Sequence, residues 1–165
     1  MRRSFALVSI ALGLLFGVTG LATASDANGN HDSYTWVVGF TTGTATAIAP
    51  DGSTITMSGS GTLMAGPGNM ATGGGTYSLS SGGSGAFAVT GTDSFVSYGP
   101  GTAFPGAFGG EAKLTITLSN GDSGVLTVYC LQGNPPPSKM EGISVILGSG
   151  GQFTKPDGGN TVFIH

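Results

Sequence analysis

The chain of 165 residues carries five Lys or Arg and eight Asp or Glu, so only 8% of it is charged and its formal net charge is −3. Such a sparse and weakly acidic surface cannot neutralise a run of phosphates, which excludes nucleic acid and anionic membranes as expected partners. Polarity comes instead from Ser, Thr and the 32 glycines, a composition typical of exposed β-strand faces and unlike that of amphipathic helices.

The first 24 residues have the pattern of a cleavable export signal. Arg2 and Arg3 supply positive charge, an apolar stretch runs from Phe5 to Phe16, and Ala22-Thr23-Ala24 offers a small-residue cleavage site. The stretch is shorter than the roughly 20 apolar residues that span a membrane. We therefore expect a signal-peptide helix over 1–24, cleavage near Ala24 and no transmembrane span in the mature protein. The mature protein would be secreted, periplasmic or held at the cell surface, by the Sec or the twin-arginine route.

The remainder has the size of one domain. Residues 25–33 are small and polar and predict a flexible leader, while 34–165 predict a single folded domain. Three lysines then stand against eight acidic residues, so the formal charge becomes −5. Cys130 is the one cysteine, and we expect either a buried small side chain or an intermolecular link.

Short apolar runs separated by glycine-rich turns predict an all-β domain. In chain order, the predicted strands are 34–40, 44–49, 53–64, 74–80, 86–98, 111–118, 124–131, 142–148 and 161–165. The turns between them include Asp51-Gly52, Gly82-Gly83, Asn120-Gly121 and Asp157-Gly158-Gly159. This pattern favours an antiparallel up-and-down barrel of about eight strands, because glycines within strands allow the bending that closure needs. A two-sheet β-sandwich is the alternative.

Two carboxylates are candidates for catalysis. Asp93 falls in phase with Phe95, so strict alternation points it to the interior, whereas a bulge near Gly91 would turn it to solvent. Glu111 shares a strand face with Lys113 and could pair with it at the surface. These residues support one hypothesis, a small barrel enzyme that uses an interior carboxylate for acid–base chemistry on an apolar substrate.

Other residues are candidates for contact with a ligand or partner. The predicted loop from Gly99 to Gly110 holds Phe104 and Phe108, whose rings could contact a ligand or fold back over the barrel end. Glu141 follows a stiff proline-rich segment that could rim a pocket or cap the barrel.

No metal or cofactor is expected from the sequence. His31 and His165 are the two histidines, and neither has a Cys, His or acidic cluster beside it in sequence, although zinc needs three or four ligands. Runs such as Gly73-Gly74-Gly75 lack the Lys-Ser/Thr pair and the helix of a phosphate-binding loop.

One segment carries a resemblance to known proteins. Leu126 to Pro136 reads LTVYCLQGNPP and is followed by Glu141-Gly142-Ile143. With the stretches Thr72–Tyr77, Phe108–Ala112 and Thr161–Ile164, it resembles a group of uncharacterised exported bacterial all-β proteins. The resemblance covers the chain from about Thr72 onwards and implies an exported all-β domain, without implying an activity.

The preferred hypothesis is an exported β-domain that is not an enzyme and has a binding or surface-structural role. Its partner would be a small apolar ligand or another exported protein.

Overall fold

A computed structural model describes residues 32–66, 68 and 70–165, and this part of the chain is all-β. Its strands are β1 (Asp32–Val38), β2 (Ala45–Ile48), β3 (Thr54–Ala65), β4 (Met70–Leu79), β5 (Ser84–Pro100), β6 (Ala107–Leu118), β7 (Ser123–Cys130), β8 (Gly142–Leu147), β9 (Gln152–Phe153), β10 (Lys155–Pro156) and β11 (Thr161–Ile164). The predicted signal peptide over 1–24 and the leader up to residue 31 lie outside the described residues. The predicted all-β class is confirmed.

Several strand boundaries differ from the predicted ones, and β4 begins at Met70 where the predicted strand begins at residue 74. β1 begins at Asp32, so the last two residues of the predicted leader belong to this strand. β5 continues to Pro100 and β6 begins at Ala107, which leaves a connecting loop of residues 101–106 in place of the predicted longer one. The short strands β9 and β10 were not predicted, because two residues are too few to show an alternating pattern.

All strands belong to one antiparallel sheet. Pairings lead from β1 through β3, β4, β5, β6 and β11 and return to β1. The strands β10 and β2 extend the sheet beside the first part of β3, and β7, β8 and β9 extend it from β6. β3 therefore pairs with both β2 and β1 along one side and with β4 along the other.

Four hairpins close with the same five-residue turn. In each, the first residue donates its N–H to the carbonyl of the fifth, and the fourth donates to the carbonyl of the first: Ala49–Ser53, Leu79–Gly83, Leu118–Asp122 and Leu147–Gly151. The fourth residue is always glycine, with φ of 85°, 97°, 90° and 102°. Other residues pay about 1–2 kcal/mol for this left-handed conformation, so the glycines fix these turns.

The interior is filled by large apolar side chains. Trp36 and Phe163 face each other across β1 and β11, and both are fully buried. The indole Nε1 of Trp36 donates to the carbonyl of Thr72 at 3.1 Å, so its polar group is satisfied. Around this pair lie Ile55, Met57, Leu63, Leu114, Ile116, Leu118, Leu126, Val128, Ile143 and Val145.

Glycines in β3 and β4 make room for two aromatic rings. A Cβ atom at Gly73 would lie 2.9 Å from Cζ2 of Trp36, and one at Gly59 would lie 2.9 Å from Cζ of Phe87. The glycine-rich middle of the sequence therefore reflects close packing of rings against bare backbone.

Candidate functional site

The candidate binding site is a cleft formed where three loops meet the start of β11. We name it the aromatic cleft. Its volume is about 440 Å³, which falls within the ~300–1,000 Å³ usual for small-molecule sites. It is lined by Phe40, Thr41, Ala103, Phe104, Gln132, Glu141, Asn160, Thr161 and Val162.

Two stacked phenylalanine rings form its apolar wall. The rings of Phe40 and Phe104 have their centroids 5.3 Å apart and their planes inclined by 26°. Phe104 is half-buried, whereas 41% of Phe40 is exposed. Exposing a phenylalanine beside an open cleft costs hydrophobic free energy unless a ligand covers it. Phe104 was a predicted contact residue, while Phe40 was assigned to a strand.

The position of Phe40 depends on a glycine and an asparagine. Gly39 has a φ of 80°, which ends β1 and turns the chain outward. The carbonyl of Asn160 then accepts the N–H of Gly39 at 2.8 Å and that of Phe40 at 3.1 Å. The amide side chain of Asn160 accepts the N–H of Thr41 at 3.0 Å and donates to Thr41 Oγ1 at 2.7 Å. Asn160 thus holds the loop that carries Phe40.

Glu141 places one carboxylate in the wall of the cleft. Its Oε2 accepts the N–H of Leu131 at 2.6 Å, and its Oε1 accepts the N–H of Thr161 at 2.8 Å. The Thr161 hydroxyl lies 3.0 Å from the same Oε1 and 2.6 Å from the carbonyl of Tyr129, so the two oxygens share its one proton. All three donors are neutral groups. Glu141 was a predicted contact residue, and the structure places it both in the cleft and at the joint between the β7–β8 connection and β11.

Phe108 is not among the residues that line the aromatic cleft. It is a residue of β6 and not of the predicted loop, and its ring packs against Tyr34 and His165, with centroid distances of 5.6 and 5.2 Å. The same histidine lies 3.8 Å from the carboxylate of Asp32. The prediction that Phe104 and Phe108 share one loop is therefore wrong.

Asp93 does not face the interior. The register between β5 and β6 shifts between Val89 and Gly91 and again between Thr92 and Ser94, so the alternation is broken on both sides of it. The side chain is exposed. The interpretation that a bulge near Gly91 turns Asp93 to solvent is confirmed, and the inward placement is wrong.

Glu111 lies on the outer face of β6, in a polar cluster with three neighbours. Its Oε2 accepts the hydroxyl of Tyr98 at 3.2 Å and lies 2.6 Å from Nζ of Lys139. The same Nζ lies 5.3 Å from the ring centroid of Tyr129. Burial and then the charge of Glu111 raise the pKa of Tyr98, and the hydrogen bond to Glu111 raises the pKa of Lys139. Asp93 is exposed, and the Glu111 side chain, 15% exposed, lies in this polar cluster and not in the apolar core.

A second and smaller cleft adjoins this cluster. Its volume is about 220 Å³, and it is lined by Tyr129, Ser138, Lys139, Met140, Thr154, Lys155 and Pro156. Two lysines thus border this cleft, whereas the aromatic cleft has no basic residue in its wall. The two clefts have opposite electrostatic character.

Cys130 is buried and only 1% exposed, which agrees with the expected buried small side chain. Burial raises its pKa to about 11, so the thiol stays protonated at neutral pH. In residues 32–66, 68 and 70–165, no group of three or more His, Cys, Asp or Glu could hold a metal ion. In the described part of the chain, no helix is long and apolar enough to span a membrane.

Of the residues that line the cleft, only Phe104 and Glu141 are among the contact residues predicted from the sequence. Phe40 and Asn160 come together only because β1 pairs with β11, a contact between the two ends of the domain. The local signal for Phe40 was its position between Gly39 and the Thr41-Thr42-Gly43 turn. No protein-family model, curated protein or solved structure matches the chain.

Proposed function

We propose that this chain is an exported β-domain that is not an enzyme and that binds a small, mainly apolar ligand in the aromatic cleft. The observation that carries the proposal is the exposed ring of Phe40 stacked on Phe104 in a cleft of about 440 Å³. The polar residues around it, Thr41, Gln132 and Asn160, supply a few oriented groups of the kind that fix a ligand's orientation.

We also propose that the sheet is closed as a barrel. The circuit of pairings from β1 through β3 to β6 and β11 supports closure. Because Trp36, Phe163 and their neighbours fill the interior, a ligand would bind on the outside of such a barrel, at the aromatic cleft.

The export proposal rests on the sequence alone. Arg2, Arg3, the apolar stretch and Ala22-Thr23-Ala24 favour cleavage near Ala24 and a mature protein outside the cytoplasm. The resemblance to exported bacterial all-β proteins supports the same proposal.

Titration of the mature domain with a panel of small aromatic and aliphatic compounds tests the binding proposal. Backbone amide NMR shifts should concentrate at Phe40, Phe104 and Asn160. The Phe40→Ala variant should lose them, since it removes half of the apolar wall. Val96→Ala is the matched control, because Val96 is 55% exposed outside the cleft. Shifts scattered over the surface, or unchanged in Phe40→Ala, would contradict the proposal.

A further inference from the structure

We infer that the ligand of the aromatic cleft is an organic cation, an ammonium group carrying apolar substituents. The inference rests on the proposed function and names the chemical class of the ligand. It combines two features of the cleft wall, an uncompensated carboxylate and an exposed aromatic face.

The first feature is the charge of Glu141. It is the single titratable side chain among the residues that line the cleft, and its hydrogen-bond partners are the neutral groups of Leu131 and Thr161. Neutral donors stabilise the carboxylate but do not cancel its charge. The cleft therefore presents a net negative charge to whatever enters it.

The second feature is the exposed ring of Phe40. An aromatic face carries negative electrostatic potential, and it attracts cations within about 6 Å of the ring centroid. Phe40 lines the cleft with 41% of the residue exposed, and its ring stacks on that of Phe104. An aromatic ring and a carboxylate in the wall of one cleft suit a cation with an apolar surface better than a neutral hydrocarbon.

The net charge of the whole protein also favours a cationic ligand. After removal of residues 1–24 the formal charge is −5, which attracts cations at long range and repels anions. Lys139 and Lys155 border the smaller cleft and not this one.

Choline and its neutral isostere 3,3-dimethylbutan-1-ol provide the test, each titrated by NMR into the mature domain at low and at high salt. We expect choline to bind about tenfold more tightly than the alcohol, with the difference shrinking at high salt. Two variants should each reduce the preference for choline over the alcohol. Phe40→Leu keeps an apolar side chain without a ring, and Glu141→Gln removes the charge. Val96→Ala should retain the preference.

Equal affinities for choline and the alcohol would overturn the cation inference and leave the binding proposal standing. If neither compound shifts the cleft resonances, the inference also fails, and the titration with the wider panel decides the proposed function separately. Phe40 is exposed, so Phe40→Leu remains a usable variant even if Glu141→Gln fails to fold. An unchanged preference for choline in Phe40→Leu would also count against the inference.

Discussion

Glu111 forms its ion pair with Lys139 and not with Lys113, its neighbour on the same face of β6. Lys113 is exposed, whereas Lys139 comes from the proline-rich connection between β7 and β8 and reaches Glu111 at 2.6 Å. The ion pair therefore links this connection to the sheet. It also places a carboxylate against the hydroxyl of Tyr98.

The Glu111→Gln variant should lower the pKa of Tyr98. In the native protein, burial and then the negative charge of Glu111 raise that pKa above its ordinary value of 10.0. Removing the charge leaves burial in place, so the pKa should fall but stay above the ordinary value. Absorbance titration of tyrosinate, with Tyr98→Phe to assign the signal, measures the change. Asp93→Asn, which alters an exposed carboxylate, should have no effect, and a rise in Glu111→Gln would contradict the prediction.

The stability of the domain should fall between about pH 9 and 11 in a manner that depends on Cys130. Burial raises the pKa of this thiol from 9.0 to about 11. In that range the thiol of the unfolded chain has lost its proton and the thiol of the folded chain still holds it. The contribution of Cys130 to the free energy of unfolding is therefore complete below pH 9 and is lost as pH rises. The slope is at most about 1.4 kcal/mol per pH unit.

Urea unfolding of Cys130→Val at several alkaline pH values checks this contribution. The variant should show a shallower loss of unfolding free energy than the native protein. Tyr98 and Lys139 titrate in both proteins, so their contributions cancel in the difference. Parallel pH profiles for the two proteins would contradict the prediction.

The Gly75→Ala variant should destabilise the fold by about 1–3 kcal/mol, the usual cost of overpacking. A Cβ atom at Gly75 would overlap the carbonyl of Ser58 and lie 2.6 Å from Cα of Gly59. Gly91→Ala is the matched control, because the nearest atom to its Cβ would be Thr115 Oγ1 at 3.9 Å. The control should stay within about 1 kcal/mol of the native protein. Chemical denaturation measures the free energy of unfolding of both variants. Equal losses in the two would contradict the prediction that the close approach of β3 and β4 excludes a side chain at Gly75.

The Asn160→Ala variant should loosen the loop that carries Phe40. Its side chain accepts the N–H of Thr41, and one such hydrogen bond is worth about 1 kcal/mol. Amide exchange at Thr41 should therefore become about fivefold faster while the core stays protected. Asn120→Ala is the control, since Asn120 accepts the N–H of Asp122 in a distant turn. Unchanged exchange at Thr41 would mean that backbone contacts alone hold the loop.

Much of the fold could be predicted because its signals are local. Alternation along β6 and a glycine after Asn120 are properties of a few consecutive residues, and the hairpin between β6 and β7 follows from them. The break in alternation around Asp93 was also recognisable, because Gly91 is a residue typical of bulges.

The candidate site was harder to predict because its parts are distant in sequence. Phe40 reaches Phe104 through the pairings of β1 with β11 and of β11 with β6, and Asn160 reaches Thr41 through the first of these. One donor to Glu141, the N–H of Thr161, belongs to β11 and lies 20 residues further along the chain. Sequence patterns predict which face of a strand is buried, but they do not predict which strand pairs with it.

The pairing of the sheet also decides where a second copy of this weakly charged chain could add a strand. Among the strands described, every one of four or more residues has a paired neighbour on both sides along at least part of its length, and the two-residue strands β9 and β10 each have one unpaired side. An open strand edge is a template for aggregation, and proteins usually block it with lysine, proline or shortness. Here β10 is Lys155-Pro156 itself. A longer stretch of open backbone remains at residues 89–100 of β5, which pair with β6 but not with β4, so β5 is where a second copy of the chain has most room to add a strand.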